Sequence, residues 1–302
     1  MPLDNSQYPL VLRMHAPDAE LSYRFWPHSS PTATFVHFHG IESHSGWYTD
    51  FGTQLWSRGI SVYCMDRAGS GLSSGPRGHI RSWRTWIAHA EAMVDRVRAD
   101  NPHDPICLSG SCWGAKVALG LALRKHTDGL VLIAPALQMR VGLTLSAKIS
   151  VAAAALLCPK RHYSIPIERE EMFTQIPDQL DFIRKDPLRL KTATAKFLVE
   201  TKKLDRHIDR NINKVRVPTL ALLAEKDVIV NTPAVEAQLR NINGVDLHTI
   251  PNTWHSMEFL PSGEKLAREI VLWMPGLKEQ QTRLPRRQLR ENKKQENYVT
   301  SN

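Results

Sequence analysis

One cysteine carries a glycine two residues before it and another two residues after it, in Gly110-Ser111-Cys112-Trp113-Gly114, and this constrains the chain more than any other feature. Such spacing marks a sharp strand-to-helix turn with a nucleophile at its apex, where Gly110 and Gly114 let strand and helix backbones approach closely. The flanks agree with it. Pro105-Ile106-Cys107-Leu108 reads as a short buried strand, and Ala115 to Lys125, with Val117, Ala118, Leu121 and Ala122 at helical spacing, reads as an amphipathic helix. Ser109 and Ser111 are rival nucleophiles, but both lie off the apex. The bland alternative is an inert cysteine, since free cysteine is among the most buried residue types. That alternative predicts no partner residues further along the chain.

A nucleophile on such a turn needs a base, and the base an orienting acid, in the chain order nucleophile, acid, histidine. The apolar run Val217 to Ala224 is of strand length and is followed at once by Glu225-Lys226-Asp227, which puts an acid just past a strand end. A shorter strand, Asp246 to Ile250, leads into Pro251-Asn252-Thr253-Trp254-His255-Ser256-Met257. Asp227 and His255 are therefore the candidate acid and base. With 13 histidines in the chain, position after a strand rather than the residue type carries the argument. Asp246 is the rival acid, but it opens a strand instead of ending one.

Several further motifs occur in a fixed order. His39-Gly40 is followed by Glu42, His44, Ser45 and Trp47; then come Asp66-Arg67-Ala68-Gly69-Ser70-Gly71-Leu72-Ser73 and Gly75-Pro76-Arg77-Gly78-His79, then the turn, the acid loop and the histidine loop. In this series, up to about Leu277, the chain resembles the monoacylglycerol lipase and lysophospholipase branch of the α/β-hydrolases. The resemblance implies an α/β-hydrolase fold, a doubly wound and mostly parallel sheet with an inserted helical cap. The chain departs from that branch at the nucleophile, where those lipases use serine. Cysteine there is similar to dienelactone hydrolases and polyhydroxyalkanoate synthases, whose remaining sequence is not found in this chain. One fold hosts many chemistries, so the substrate does not follow from it.

Attack on a carbonyl creates an oxyanion, which two preorganised backbone N–H groups stabilise: one from the residue after the nucleophile and one from the loop after the third strand. Those are Trp113 and Ile41, with His39 and Gly40 shaping the loop. His37 and His39 alternate along a strand and so point to one face, but no third ligand stands at a metal-binding spacing. Gly69-Ser70-Gly71 lacks the lysine ending of a phosphate loop and reads as a tight loop beside the catalytic face. The reading calls for no metal and no cofactor.

A thiol ionises far more readily than a serine hydroxyl, so His255 held by Asp227 can draw Cys112 into a thiolate–imidazolium pair. The acyl-enzyme is then a thioester, open to amines, thiols and carbon nucleophiles, while water loses its advantage in a closed pocket. The expectation is an acyltransferase or condensing enzyme acting on a hydrophobic ester or thioester donor, with acyl-CoA or an acyl carrier protein among the donors. Ester or thioester hydrolysis by the same triad is the alternative. A noncatalytic ligand-binding relative is a third reading, opposed by the completeness of the site.

About 80 residues separate the strand ending at Ile133-Ala134-Pro135 from the one starting at Val217, far beyond an ordinary connection. The expected organisation is a core over 1–135 and 215–277, a helical cap over 136–214, and a basic tail over 278–302. The stretch Val141 to Leu157 is the most apolar helical run, yet Lys148 and small polar residues make it too short to span a membrane. It reads as a cap helix packed on the core, with an acyl tunnel wall or a membrane-surface contact as alternatives. Glu168 to Arg210 is charged and helical, broken at Pro177 and Pro187. At 42% hydrophobic and 23% charged residues the chain can bury one large core, and it contains no internal repeat. The net charge of +9 is concentrated partly in the tail, which reads as solvated and disordered, with anionic lipid or an acidic carrier surface as its sharper use. Basic residues are not interleaved with aromatics on any reading motif, so nucleic acid is not an expected partner. The first residues lack a basic start and an apolar core, and a working thiol must stay reduced, so the cytoplasm is the expected compartment.

Overall fold

The computed structural model describes residues 8–125, 127–167 and 169–274; the tail expected over 278–302 lies outside the described residues. In chain order the elements are β1 (Leu10–Ala16), β2 (Ala19–Trp26), β3 (Ala33–Phe38), α1 (Thr49–Trp56), β4 (Ile60–Met65), α2 (Trp83–Asp100), β5 (Ile106–Ser111), α3 (Gly114–Ala122) and β6 (Gly129–Ile133). They continue as α4 (Leu145–Leu157), β7 (His162–Ser164), α5 (Pro177–Lys185), β8 (Thr192–Thr194), α6 (Ala195–Asn211), β9 (Thr219–Ala224), α7 (Thr232–Leu239), β10 (Val245–Ile250) and α8 (Ser262–Trp273). Eight strands form one sheet in the order β1-β2-β4-β3-β5-β6-β9-β10, with β7 and β8 forming a separate two-stranded ribbon.

The hydrophobic pattern explains the topology. β3, β4, β5, β6 and β9 are buried at every residue, as strands covered on both faces must be, and all five pair in parallel. β1 and β2 pair antiparallel at one end, where Val11 is 51% exposed on the outer strand. Helix α1 packs with α8, while α2, α3 and α6 pack with one another, so the sheet is doubly wound as expected. β9 starts two residues later than the apolar run because Pro218 has no N–H to give a ladder.

Between β6 and β9 the inserted span divides into two parts. Helix α6, capped by the Thr194 hydroxyl on the Phe197 amide, buries Phe197, Leu204 and Ile208 and packs on α2 and α3. Buried Lys116 of α3 and half-buried Asp205 of α6 form an ion pair, and the Trp113 indole N–H donates to the Thr201 hydroxyl at 3.1 Å. The last helix of the expected cap is thus part of a core layer, and the covering part ends near β8. Pro177 begins α5 at its first turn and Pro187 follows its end, the two breaks read from the sequence.

Helix α4 meets its main expectation only in part. It buries only Val151 and Ala154, while Leu145, Ile149, Leu156 and Leu157 are 75%, 64%, 86% and 82% exposed. One face packs on α6 through Val151 and Ala154, while the larger apolar side chains face outward. No helix among the described residues is long and apolar enough to cross a membrane.

Candidate active site

Cys112 lies between the end of β5 and the start of α3 with φ +52°, the left-handed region that a residue with a Cβ avoids. Three backbone bonds hold it there: its N–H donates to the Ile133 carbonyl at 2.9 Å, and its carbonyl accepts from Ala115 at 3.3 Å and Ala136 at 3.0 Å. A Cβ on Gly114 would collide with the Phe38 carbonyl oxygen, and one on Gly110 would sit 2.5 Å from the Gly114 carbonyl. Both glycines are required by backbone packing, and the apex belongs to Cys112. Ser109 and Ser111 instead turn to buried His37, at 3.0 Å and 3.4 Å. Burial drives His37 down to a pKa of about 3, so it is a neutral internal hydrogen-bonding group.

Asp227 and His255 meet beside Cys112. The Asp227 Oδ2 accepts from His255 Nδ1 at 2.7 Å, while Oδ1 accepts the Ile229 and Val230 amides at 2.8 and 2.9 Å. Their side chains are 1% and 2% exposed. Both Asp227 oxygens are therefore committed, which fixes the imidazole with Nε2 turned toward the sulfur. Burial alone would lower the pKa of His255, but the Asp227 carboxylate and the Cys112 sulfur outweigh burial and raise it well above 6.5. Asp246, the rival acid, accepts the Trp273 indole N–H at 2.7 Å and stands apart from the histidine.

The loop after β3 is shaped by His39 and Gly40, as the sequence suggested, and by Arg67 and Tyr48, whose roles it did not disclose. His39 donates from Nδ1 to the Gly40 carbonyl at 2.8 Å and accepts the Arg67 amide on Nε2 at 3.1 Å. The Arg67 guanidinium donates to the Gly40 carbonyl at 2.7 Å and to the Ile41 carbonyl, and stacks over Trp113 at 4.9 Å and Phe197 at 5.5 Å. Burial lowers its pKa to about 9, which still leaves it charged at neutrality. The Tyr48 hydroxyl accepts the Gly40 amide at 3.0 Å. Carbonyls and the Gly40 amide are thus tied back, and neither the Ile41 nor the Trp113 amide goes to another backbone carbonyl among the described residues. A Cβ on Gly40 would lie 3.4 Å from that of Cys112, so a side chain there would crowd the nucleophile. Gly69 and Gly71, both at positive φ, wrap the next loop around Asp66, which accepts the Ser45 and Leu72 amides at 2.6 and 2.9 Å. Sequence reasoning found this motif but not the part Arg67 plays in it.

The cap closes over this site. Asp186 accepts from His44 Nε2 at 3.1 Å and from the Trp47 indole at 2.7 Å; Arg189 donates to Glu42 at 2.7 Å and to Glu170. Burial would raise the Asp186 pKa, but the His44, Trp47 and Leu188 hydrogen bonds prevail and hold it at about 2. Phe173 and Phe182 of the insertion and Phe259 of the core surround the Trp47 ring at 5.6, 6.2 and 5.9 Å. What remains above the sulfur is a cavity of about 20 Å³ lined by Cys112, His255, Ile41, Trp47, Phe173 and Glu258, among others.

The family model described as serine aminopeptidase, S33 matches residues 29–259, a span that holds every one of these groups. The chain belongs to the S33 serine aminopeptidase family. Its members have the α/β-hydrolase fold, and the resemblance to the monoacylglycerol lipase and lysophospholipase branch holds. A monoacylglycerol lipase of Mycolicibacterium smegmatis is 22% identical over 83% of this chain and 91% of its own length. Phospholipase YtpA of Bacillus subtilis is 24% identical over 74% of this chain and 85% of its own length. Among solved structures, a soluble variant of monoglyceride lipase from Saccharomyces cerevisiae, in complex with a substrate analogue, superposes with a TM-score of 0.80 at 15% identity, covering 91% of this chain and 98% of that one.

Proposed function

We propose that this S33 family member hydrolyses carboxylic esters of hydrophobic acyl groups through a Cys112–His255–Asp227 triad. The observation that carries the reading is the strained apex cysteine beside an imidazole whose other nitrogen is fixed by a fully engaged carboxylate. The His255 imidazolium, favoured by the Asp227 carboxylate, pairs with the Cys112 thiolate, which attacks the ester carbonyl. The oxyanion takes hydrogen bonds from the Ile41 and Trp113 amides, and Arg67 holds the loop that aims the first of them. His255 gives its proton to the departing alkoxide, leaving a thioester on Cys112, and water then releases the acid. Relatives named as a monoacylglycerol lipase and a phospholipase favour hydrolysis over the acyl transfer first expected from the cysteine. The aromatic walls around Trp47 suit an apolar acyl group. Helix α4, apolar outward with Lys148, Lys160 and Arg161 around it, offers a contact through which an ester could leave a lipid surface.

Acyl transfer is kept as a second reading because of one observation, the cysteine at the strained apex, on which an acyl group would be a thioester. The deciding assay follows free acid and acyl transfer together, with p-nitrophenyl esters, monoacylglycerols and acyl-CoA, with and without alcohol or thiol acceptors. Free acid from wild-type protein and none from Cys112→Ala supports the hydrolase; product only when an acceptor is added supports transfer; full activity in Cys112→Ala removes both.

A further inference from the structure

Three buried polar features surround the triad without being used by it: the His37–Ser109–Ser111 cluster, the Arg189–Glu42–Glu170 network and the Glu258 carboxyl. The first two are internally satisfied. Glu258 is not. It is 5% exposed, and its Oε1 has no hydrogen-bond partner within the protein. Leaving a buried polar atom unpaired costs about 1–3 kcal/mol, so a native structure that does so invites a functional account.

The place of this atom supplies one. Glu258 lines the same small cavity as Cys112 and His255, three residues along the chain from the histidine. His255 lines that cavity too, with its Nε2 facing the Cys112 sulfur and taking no hydrogen bond from a nitrogen or oxygen of the protein. The cavity measures about 20 Å³, and one water needs roughly 10–15 Å³ of such space together with two or more polar partners. One unpaired carboxyl oxygen, the imidazole nitrogen that faces the sulfur, the sulfur itself and room for one small molecule therefore belong to one cavity.

We propose that Glu258 is a catalytic residue for the second half of the reaction, holding the water that cleaves the Cys112 thioester. This deepens the hydrolase reading and rests on it. Once the alcohol has left, His255 is a neutral imidazole. The water is then held by Glu258 Oε1 on one side and His255 Nε2 on the other. Nε2 takes one proton as the water oxygen bonds to the thioester carbonyl carbon, giving a tetrahedral oxyanion on the Ile41 and Trp113 amides. The oxyanion collapses, the C–S bond breaks, and the sulfur leaves as thiolate beside the imidazolium. The acid departs and the starting ion pair is restored, with no oxidant or further reactant. Burial raises the pKa of Glu258, against the pull of Ser111 and His255, and either protonation state leaves an oxygen able to accept from water. The charged and titratable neighbours are His255 and Asp227 from their own loops, Tyr48 from the opposite wall, Cys64 of β4 and Cys112 in the same cavity.

The test separates the two half-reactions in full-length protein with p-nitrophenyl acetate, using Glu258→Gln and Glu258→Leu. Burst amplitude counts competent sites, so any misfolded fraction is normalised out. The expected result is a burst rate within about twofold of wild type, with the steady-state rate in Glu258→Leu down about 10- to 100-fold, as for a misplaced reactant. An acetyl adduct accumulates on Cys112, and added hydroxylamine restores turnover by replacing the water. Glu258→Gln, which keeps an oxygen in place, falls less. Burst and steady-state rates that fall together, or a steady-state rate unchanged in Glu258→Leu, overturn the assignment while leaving the triad intact. Turnover with no Cys112 adduct in wild type and variants alike overturns the thioester reading itself and this proposal with it.

Discussion

Replacing Asp227 by asparagine isolates the electrostatic part of the site from its shape. Oδ1 of the asparagine can still accept the Ile229 and Val230 amides, which lie 2.8 and 2.9 Å from the native oxygen. The other position then presents an NH₂ to His255 Nδ1, where a carboxylate oxygen sits at 2.7 Å. Donor faces donor unless the imidazole moves its proton to Nε2, and the imidazolium loses the charge that holds it. A hydrogen bond to a charged group is worth about 1.5–3 kcal/mol, and the full upper value corresponds to roughly 150-fold in kcat/KM. The expected loss is therefore about 100-fold on p-nitrophenyl butyrate, with the fold kept because the backbone bonds survive and the melting temperature lowered by the lost ion pair. Asp246→Asn is the control. Its oxygen can still accept from the Trp273 indole, so kcat/KM stays within about twofold. An Asp227→Asn enzyme within fivefold of wild type, or an equal loss in Asp246→Asn, refutes the reasoning.

Three further outcomes follow from the same geometry. The raised pKa of His255 means that the folded protein holds this proton to higher pH than the unfolded chain does; the stability it brings is full below about pH 6.5 and is lost as pH rises through the raised value. Wild-type kcat/KM should then vary little between about pH 6 and 8, whereas Cys112→Ser, which needs a neutral imidazole, should gain activity with pH; superimposable profiles contradict the ion pair. Gly114→Ala drives a Cβ into the Phe38 carbonyl oxygen and should cost about 2–3 kcal/mol, read as a fall of roughly 5–10 °C in Tm by calorimetry, and an unchanged Tm denies the close approach. Replacing exposed Leu156 and Leu157 by serine should weaken sedimentation with anionic vesicles without altering activity on a soluble ester; equal sedimentation removes α4 as the contact.

The sheet and the elbow were legible because they rest on local rules. Fully buried parallel strands write themselves as apolar runs, and the Gly110 and Gly114 spacing encodes a backbone collision that only glycine avoids. Asp227 and His255, which the structure brings together, were singled out by their place after strands, a consequence of topology that survives in chain order. Arg67, Tyr48 and Glu258 were not, since each acts through a partner distant in sequence or through a cavity. Arg67 reaches the carbonyls of Gly40 and Ile41, and no periodicity predicts that. The outward face of α4 was hidden for a related reason: an apolar helix reads the same whether it covers a core or lacks a cover. The division of the inserted span was also hidden, because Phe197 and Leu204 become core residues only once α2 and α3 lie beside them.

The central claim is that Cys112 carries the acyl group, and intact-protein mass spectrometry after a brief exposure to p-nitrophenyl butyrate tests it most directly. The account predicts one butyryl mass, mapped by peptide digestion to Cys112, released by hydroxylamine and absent in Cys112→Ala. An adduct on Ser111 or Ser109, or undiminished ester cleavage by Cys112→Ala, would contradict it.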